Sequence, residues 1–384
     1  MTVQEILRAL VAISSPSHLS NLPLLEWVTK FLEPKGWRVD LLPYTDEKGL
    51  AKGNLIAFPP GSAGLDADIE LAFVCHSDTV PFSNAWTKAT ELTLSVDGKD
   101  LHGCGSSDVK GALACFLAAT EDLAVRSDVA LILSADEEIG CHGMDRLLKT
   151  TKLRLKSAIV SEPTSLRPGI AGKGYGLARV TIDGVEAHSA FPREGLSAVV
   201  LAAKLIGQIE CMGKPCGKGS TAIQTEDSLF DPPHTTVNVG VIEGGTAKNI
   251  IPGRCSFLVE WRPIPSDPPR GILTQLEWLC DCLRSENPKA HIHVEPLRAE
   301  GGFGASVPGS LQLRLKSIAQ DNGATCLPVG ISFGSEASRL AKVAGEVIVI
   351  GPGDMHTAHS ERECVPVSEL EEWTRTLQSL LAAG

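Results

Sequence analysis

The sequence is short of positive charge. Of its 384 residues, 35 are Lys or Arg and 46 are Asp or Glu, a formal charge of −11. A nucleic-acid binder needs a basic face to neutralise phosphates, so this balance speaks against one. It disfavours an anionic membrane surface for the same reason. Long apolar runs are also missing, and none approaches the ~20 residues needed to span a bilayer. The start, MTVQEILRALVAI, lacks a basic segment leading into an apolar core and carries Glu5 early. It reads as an amphipathic helix and not as a signal peptide. No CxxC occurs among the 11 scattered cysteines. An odd count without export predicts reduced thiols, several of them buried as small hydrophobes, and a cytoplasmic protein. There is no internal repeat and no low-complexity tract.

What is present is an ordinary globular composition, 43% hydrophobic and 21% charged. The length suggests about two domains. Short apolar runs alternate with helical patterns, the mark of an α/β sheet. Strands are predicted at 69–75, 128–135, 157–161 and 346–353, with a helix of good formers at 109–124. Such continuous apolar strands are buried on both faces, as in largely parallel sheets. The middle of the chain alternates with period 2 instead, at 176–185, 235–245 and 254–264. With helices at 195–210 and 270–285 and a strand at 290–296, the order is that of a ferredoxin-like α+β sandwich. The reading is therefore a mixed, largely parallel sheet flanked by helices (1–174 and 296–384), interrupted by an inserted domain at 175–295.

Open α/β sheets bind ligands beyond the carboxyl ends of their strands. His76 and Asp78, Glu137 and Glu138, Glu162 and His359 all lie just after predicted strands. Asp108 precedes the 109–124 helix in a glycine-rich loop. Carboxylates gathered at one edge raise each other's pKa unless cations neutralise them, and two divalent metals would do so. Mixed imidazole and carboxylate ligands suit zinc, cobalt or manganese better than calcium. Each piece alone has a bland reading. Asp108 can be a helix N-cap, Glu137-Glu138 a solvated pair, and His359 a surface histidine. The conjunction is what points to a metal centre.

"HSDTVP" (76–81), "GCGSSDVKG" (103–111), "ADEEIG" (135–140), "SEPTS" (161–165) and "AHSERE" (358–363) resemble the signatures of a known family. It is the zinc-dependent aminoacylase, carboxypeptidase and deacylase family with co-catalytic metals. Within it, "EPTSLRP" and the 85–111 stretch are most similar to the acetylornithine deacetylase branch. The resemblance implies a zinc-exopeptidase-like core with an inserted lid, two Zn or Co ions, and a small N-acyl amino acid as substrate. It implies that Asp108 bridges the ions, with His76 and Glu162 completing one site and Glu138 and His359 the other. Glu137 would be the general base, and the Asp78 carboxylate would hold the second ring nitrogen of His76. The family often has a cis peptide after the bridging Asp, here Asp108–Val109.

The same resemblance implies a homodimer through the inserted domain, with His188 of "GVEAHSAFP" reaching the partner's site. Asn249 and Arg254 in "AKNIIPGRCSF" lie where relatives hold the substrate's α-carboxylate, for which a planar guanidinium is suited. Glu336 in "FGSEASRL" can face a cationic side chain, or be an acid of a helix's first turn. His291 and His293 lack carboxylates nearby and read as structural. Val109, Ser107, Cys75 and Cys104 depart from the family pattern without removing a ligand.

Overall fold

The computed structural model describes every residue except 83–85, 87, 213–224, 305–306, 322–325 and 384. The chain divides into two compact units. One comprises Ala171–Gly304 with Gly330–Gly334, and the remainder of the chain forms the other. The inserted unit is thus somewhat longer than the 175–295 expected, and takes a short return segment from later in the chain.

The larger unit is built on a sheet in which four parallel strands sit side by side. Val129–Ser134 lies beside Ile69–His76, then Leu155–Val160, then Ala344–Val349. Antiparallel Ala51–Phe58 and Arg38–Thr45 extend the Val129 side. Val129–Ser134 is buried along its whole length, as expected for a strand covered on both faces, whereas Leu155–Val160 exposes Lys156 and Ala344–Val349 is buried only over its last three residues. The predicted 109–124 helix is shorter, Lys110–Ala119, because the Thr120 hydroxyl turns back to donate to Leu117 O and closes the last turn. Its Gly111 is required: a Cβ there would lie 2.3 Å from Ser106 O. The predicted 346–353 strand likewise stops at Val349, since Pro352 has no N–H and Gly353 takes φ +95°. The Val3–Ala12 helix carries a capping box between Thr2 and Glu5 and buries Ile6, Leu7, Leu10 and Val11. Among the described residues, no helix is long and apolar enough to cross a membrane.

The second unit is an antiparallel sheet in the order Thr236–Gly244, Arg254–Arg262, Tyr175–Asp183, His291–Glu300. Helices Ala198–Ile209 and Gly271–Glu286 pack onto it. Strand, helix, strand, strand, helix, strand is the order read from the sequence. Alternate residues of Arg254–Arg262 are buried, and Trp261 fills the space that Gly176 leaves open. His291 and His293 fall on the exposed face of their strand.

Candidate metal centre

Parallel strands deliver their carboxyl ends to one edge. His76 is the last residue of its strand and pairs with Ser134, which ends the neighbouring one. Two residues beyond Ser134 the chain turns sharply. Asp136 takes φ 57° and Cys141 φ 59°, while Glu137 O accepts from the Gly140 and Cys141 N–H groups. This turn presents Glu137 and Glu138. Glu162 follows the Leu155–Val160 strand, and His359, with φ 59°, lies beyond Ala344–Val349. Asp108 arrives on the loop before the Lys110–Ala119 helix, and the Asp108–Val109 peptide is cis.

These groups converge on Asp108. Its Oδ1 is 2.9 Å from His76 Nε2 and its Oδ2 is 3.1 Å from His359 Nε2. His359 Nε2 is also 3.1 Å from Glu138 Oε2. His76, Asp108 and Glu162 form one cluster, and Asp108, Glu138 and His359 a second; within each, the ligand atoms lie within 4.8 Å of one another. The five residues expected to bind metal therefore come together, with Asp108 common to both clusters.

The ring of His76 is oriented for ligation. Its Nδ1 lies 2.9 Å from Asp78 O. A carbonyl only accepts, so Nδ1 carries a proton, and Nε2 is the nitrogen turned toward Asp108 and available to a cation. Here the structure corrects an expectation. The Asp78 carboxylate does not hold this nitrogen; its Oδ1 is 3.9 Å away. The carboxylate accepts instead from the backbone N–H of Glu137 (3.1 Å) and Glu138 (3.4 Å) and from Ser17 Oγ (2.7 Å). Asp78 thus ties the histidine strand to the turn that carries both glutamates.

The electrostatics are those of crowded anions. Burial opposes ionisation of Asp108, but the two imidazoles outweigh it and hold its carboxyl below the usual range. Burial also opposes a charged His76, and Asp108, Glu137 and Glu162 reverse that and raise it. Hydrogen bonds to Asp108 and Glu138 lift His359 to about 10. Glu137 is pushed up to about 8, first by burial and then by Glu138. Burial and the neighbouring Asp108 raise Glu162 and Glu138 as well. Buried Glu138 Oε1 has no hydrogen-bond partner among the described residues. An orphaned carboxylate oxygen in a cluster of two imidazoles and three carboxylates is the donor set a pair of divalent cations would satisfy.

Several supporting residues had no signal in the sequence. Glu363 Oε1 accepts from the N–H groups of both Ser107 and Asp108 at 3.0 Å, fixing the bridging loop. Lys52, fully buried, donates to Asp136 Oδ1 (2.6 Å) and Ser17 O (2.7 Å). Tyr44 donates to the other oxygen of Asp136. Cys141 Sγ is 3.4 Å from Glu137 Oε1. Glu363 sits in the quoted "AHSERE" segment, yet nothing local separates it from exposed Glu361.

The four residues assigned to substrate are placed differently. Glu336 stands at the N-cap position of the Ala337–Leu340 helix, but its side chain does not cap it. It is buried, with Oε1 unpartnered among the described residues, and burial lifts it to about 7. His188, Asn249 and Arg254 belong to the second unit. Ala187–His188 pairs with Ile250–Ile251, and Ser189 N–H donates to Asn249 O, so His188 and Asn249 share one corner. His188 Nδ1 accepts from Ala190 N–H. Arg254 makes an exposed ion pair with Asp183 at 3.2 Å, of small energetic weight. Cys75 and Cys104 are buried and their thiols pushed up to about 12, so both stay protonated.

The model of peptidase family M20/M25/M40 matches residues 72–383. The chain is 38% identical over 366 residues to acetylornithine deacetylase of Myxococcus xanthus, covering 95% of this chain and 92% of that one. It is 33% identical over 279 residues to acetylornithine deacetylase of Klebsiella pneumoniae, covering 68% of this chain and 67% of that one. Among solved structures, a tripeptidase of Staphylococcus aureus superposes with a TM-score of 0.77 at 20% identity, over 99% of this chain and 96% of its own.

Proposed function

The chain belongs to peptidase family M20/M25/M40 and is a metal-dependent hydrolase of linear amides, and on that premise we propose that it deacetylates acetylornithine, releasing ornithine and acetate. The observation that carries the reading is Asp108, whose two oxygens face two separate ligand clusters beside Glu137. His76, Asp108 and Glu162 would hold one zinc or cobalt ion, and Asp108, Glu138 and His359 the other. Bound there, two such ions lower the pKa of water and polarise an amide carbonyl. Glu137 takes the proton from the attacking water and returns it to the departing amine, so that one water is consumed per amide broken. Asp78 positions Glu137 through its main-chain N–H. Asn249 and Arg254 receive the substrate carboxylate, His188 stabilises the oxyanion, and buried Glu336 favours a cationic substrate side chain.

The reaction belongs to arginine biosynthesis in the cytoplasm. A panel of acetylated and succinylated amino acids, with added zinc or cobalt, tests it. Acetylornithine is expected to give the highest kcat/KM, at least about tenfold above acetylcitrulline, succinyl-diaminopimelate and dipeptides. A dipeptide in first place would overturn the substrate assignment and leave the amidohydrolase chemistry standing. A noncatalytic, metal-stabilised binding protein has no use for a free base such as Glu137.

The second unit supports a homodimer. Its edge strand Thr236–Gly244 exposes Val241 and Ile242, and the nearby Ala198–Ile209 helix exposes Val200. An edge strand with apolar side chains and no further strand beside it among the described residues is a template for a second copy. Sedimentation is expected to give twice the 40.7 kDa chain mass. Only a 40.7 kDa species at working concentration would reject the dimer.

A further inference from the structure

A second cleft, of about 190 Å³, lies in the larger unit and is lined by none of the metal-centre residues. One wall is a stripe of the Val367–Leu381 helix: Glu369, Glu372, Trp373 and Thr376, at the i, i+3, i+4 and i+7 spacing that shares a helix face. Arg167 and Leu166 line it from the segment that follows Glu162. Arg167 is exposed and Glu372 half-buried, and neither side chain makes a hydrogen bond or ion pair among the described residues. Buried Trp373 keeps its Nε1–H without an acceptor. One guanidinium and two carboxylates around one small cleft suit a ligand bearing both an anionic and a cationic group. Two carboxylates against one guanidinium leave the lining at −1, which a ligand of net charge +1 complements. The volume lies below the ~300 Å³ where drug-sized pockets begin and matches a ligand the size of a free amino acid.

The cleft is wired to the metal centre. Glu369 Oε2 accepts from Gly353 N–H at 2.7 Å. Gly353 lies so close to Ser107 that a Cβ would be 2.0 Å from its Oγ, and Ser107 precedes the bridging Asp108. Gly353 O in turn accepts from Ser165 N–H, three residues after Glu162. An ammonium seated between Glu369 and Glu372 competes with Gly353 N–H for the same carboxylate and loosens the loop that packs on two ligand-bearing segments.

We propose that this cleft binds a free amino acid with a cationic side chain, and that its occupation lowers turnover at the metal centre through the Glu369–Gly353 hydrogen bond. The amino-acid carboxylate pairs with Arg167, and its ammonium groups with Glu372 and Glu369. The inference does not depend on which amide the enzyme cleaves. Titration calorimetry of the metal-loaded protein with L-arginine and L-lysine is expected to show one saturable site per chain, with L-glutamate giving none. Arg167→Ala and Glu372→Gln should each weaken binding about tenfold or more. Both should keep the wild-type kcat when no amino acid is added and lose its inhibition by L-arginine. Absence of saturable binding, or binding and inhibition that survive both substitutions, would overturn the site. Binding that is lost in both variants but never changes kcat would overturn the coupling.

Discussion

Glu137→Gln is expected to lower kcat by about 10²–10⁴-fold, the usual contribution of a positioned general base, while the protein still binds two ions per chain. Glutamine keeps the size of the side chain and removes only its ability to take a proton. Glu137 completes neither ligand cluster, so elemental analysis of the variant should match the wild type. Asp108→Asn makes the contrast. It weakens the ligand common to both clusters, so metal content should fall together with activity. The pH profile adds a signed test. Protonating Glu137 disables it, so wild-type activity falls on the acid side as this carboxylate gains its proton. The residual rate of Glu137→Gln should lack that limb. Near-normal kcat in Glu137→Gln would refute the assigned mechanism, whatever the metal content.

Lys52→Met is expected to be the most destabilising single change near the site, by about 3–5 kcal/mol in urea unfolding. That is the range for stranding one member of a buried ion pair. Lys52 is 0% exposed and Asp136 3% in their side chains, so the carboxylate left behind has no route to water. Tyr44 would remain as its side-chain partner. Asp136 opens the turn that aims Glu137, so kcat should also drop, by at least about tenfold, since displacements near 1 Å can cost ~10²-fold. Adding Asp136→Asn should restore most of the stability, because the stranded charge is then gone. It should restore less of the activity, because the turn has lost its anchor. A loss below about 1 kcal/mol in Lys52→Met would show that the pair is not what holds the turn.

The contrast between these residues explains what could be read in advance. The ligands announce themselves because a parallel sheet writes each strand as an apolar run and leaves its chemistry immediately after it. His76, Glu138 and Glu162 are found by locating where hydrophobicity stops. The inserted unit is equally plain, since its strands change to period 2. Lys52 offers no such clue. It is the second residue of the Ala51–Phe58 strand, and its partner lies 84 positions away, a pairing no local pattern encodes. Glu363 is concealed by exposed acids around it. Asp78 illustrates a finer limit: its position beside His76 is legible, but whether carbonyl or carboxylate meets the ring depends on the turn. Glu336 shows the same limit, since a residue at a helix start can face solvent or point inward, and here it points inward.

The Ala344–Val349 strand carries a consequence for biosynthesis. It aligns with Leu155–Val160, made far earlier, and the whole inserted unit is translated in between. A ribosome therefore finishes the insert while the core sheet still shows an open flank of apolar strands. Long-range parallel pairing of this kind is slow and exposes sticky surface. Ion capture must wait as well, because His359 emerges later still, so a chain stalled before that point would carry an incomplete cation cage and a naked edge for quality control to recognise.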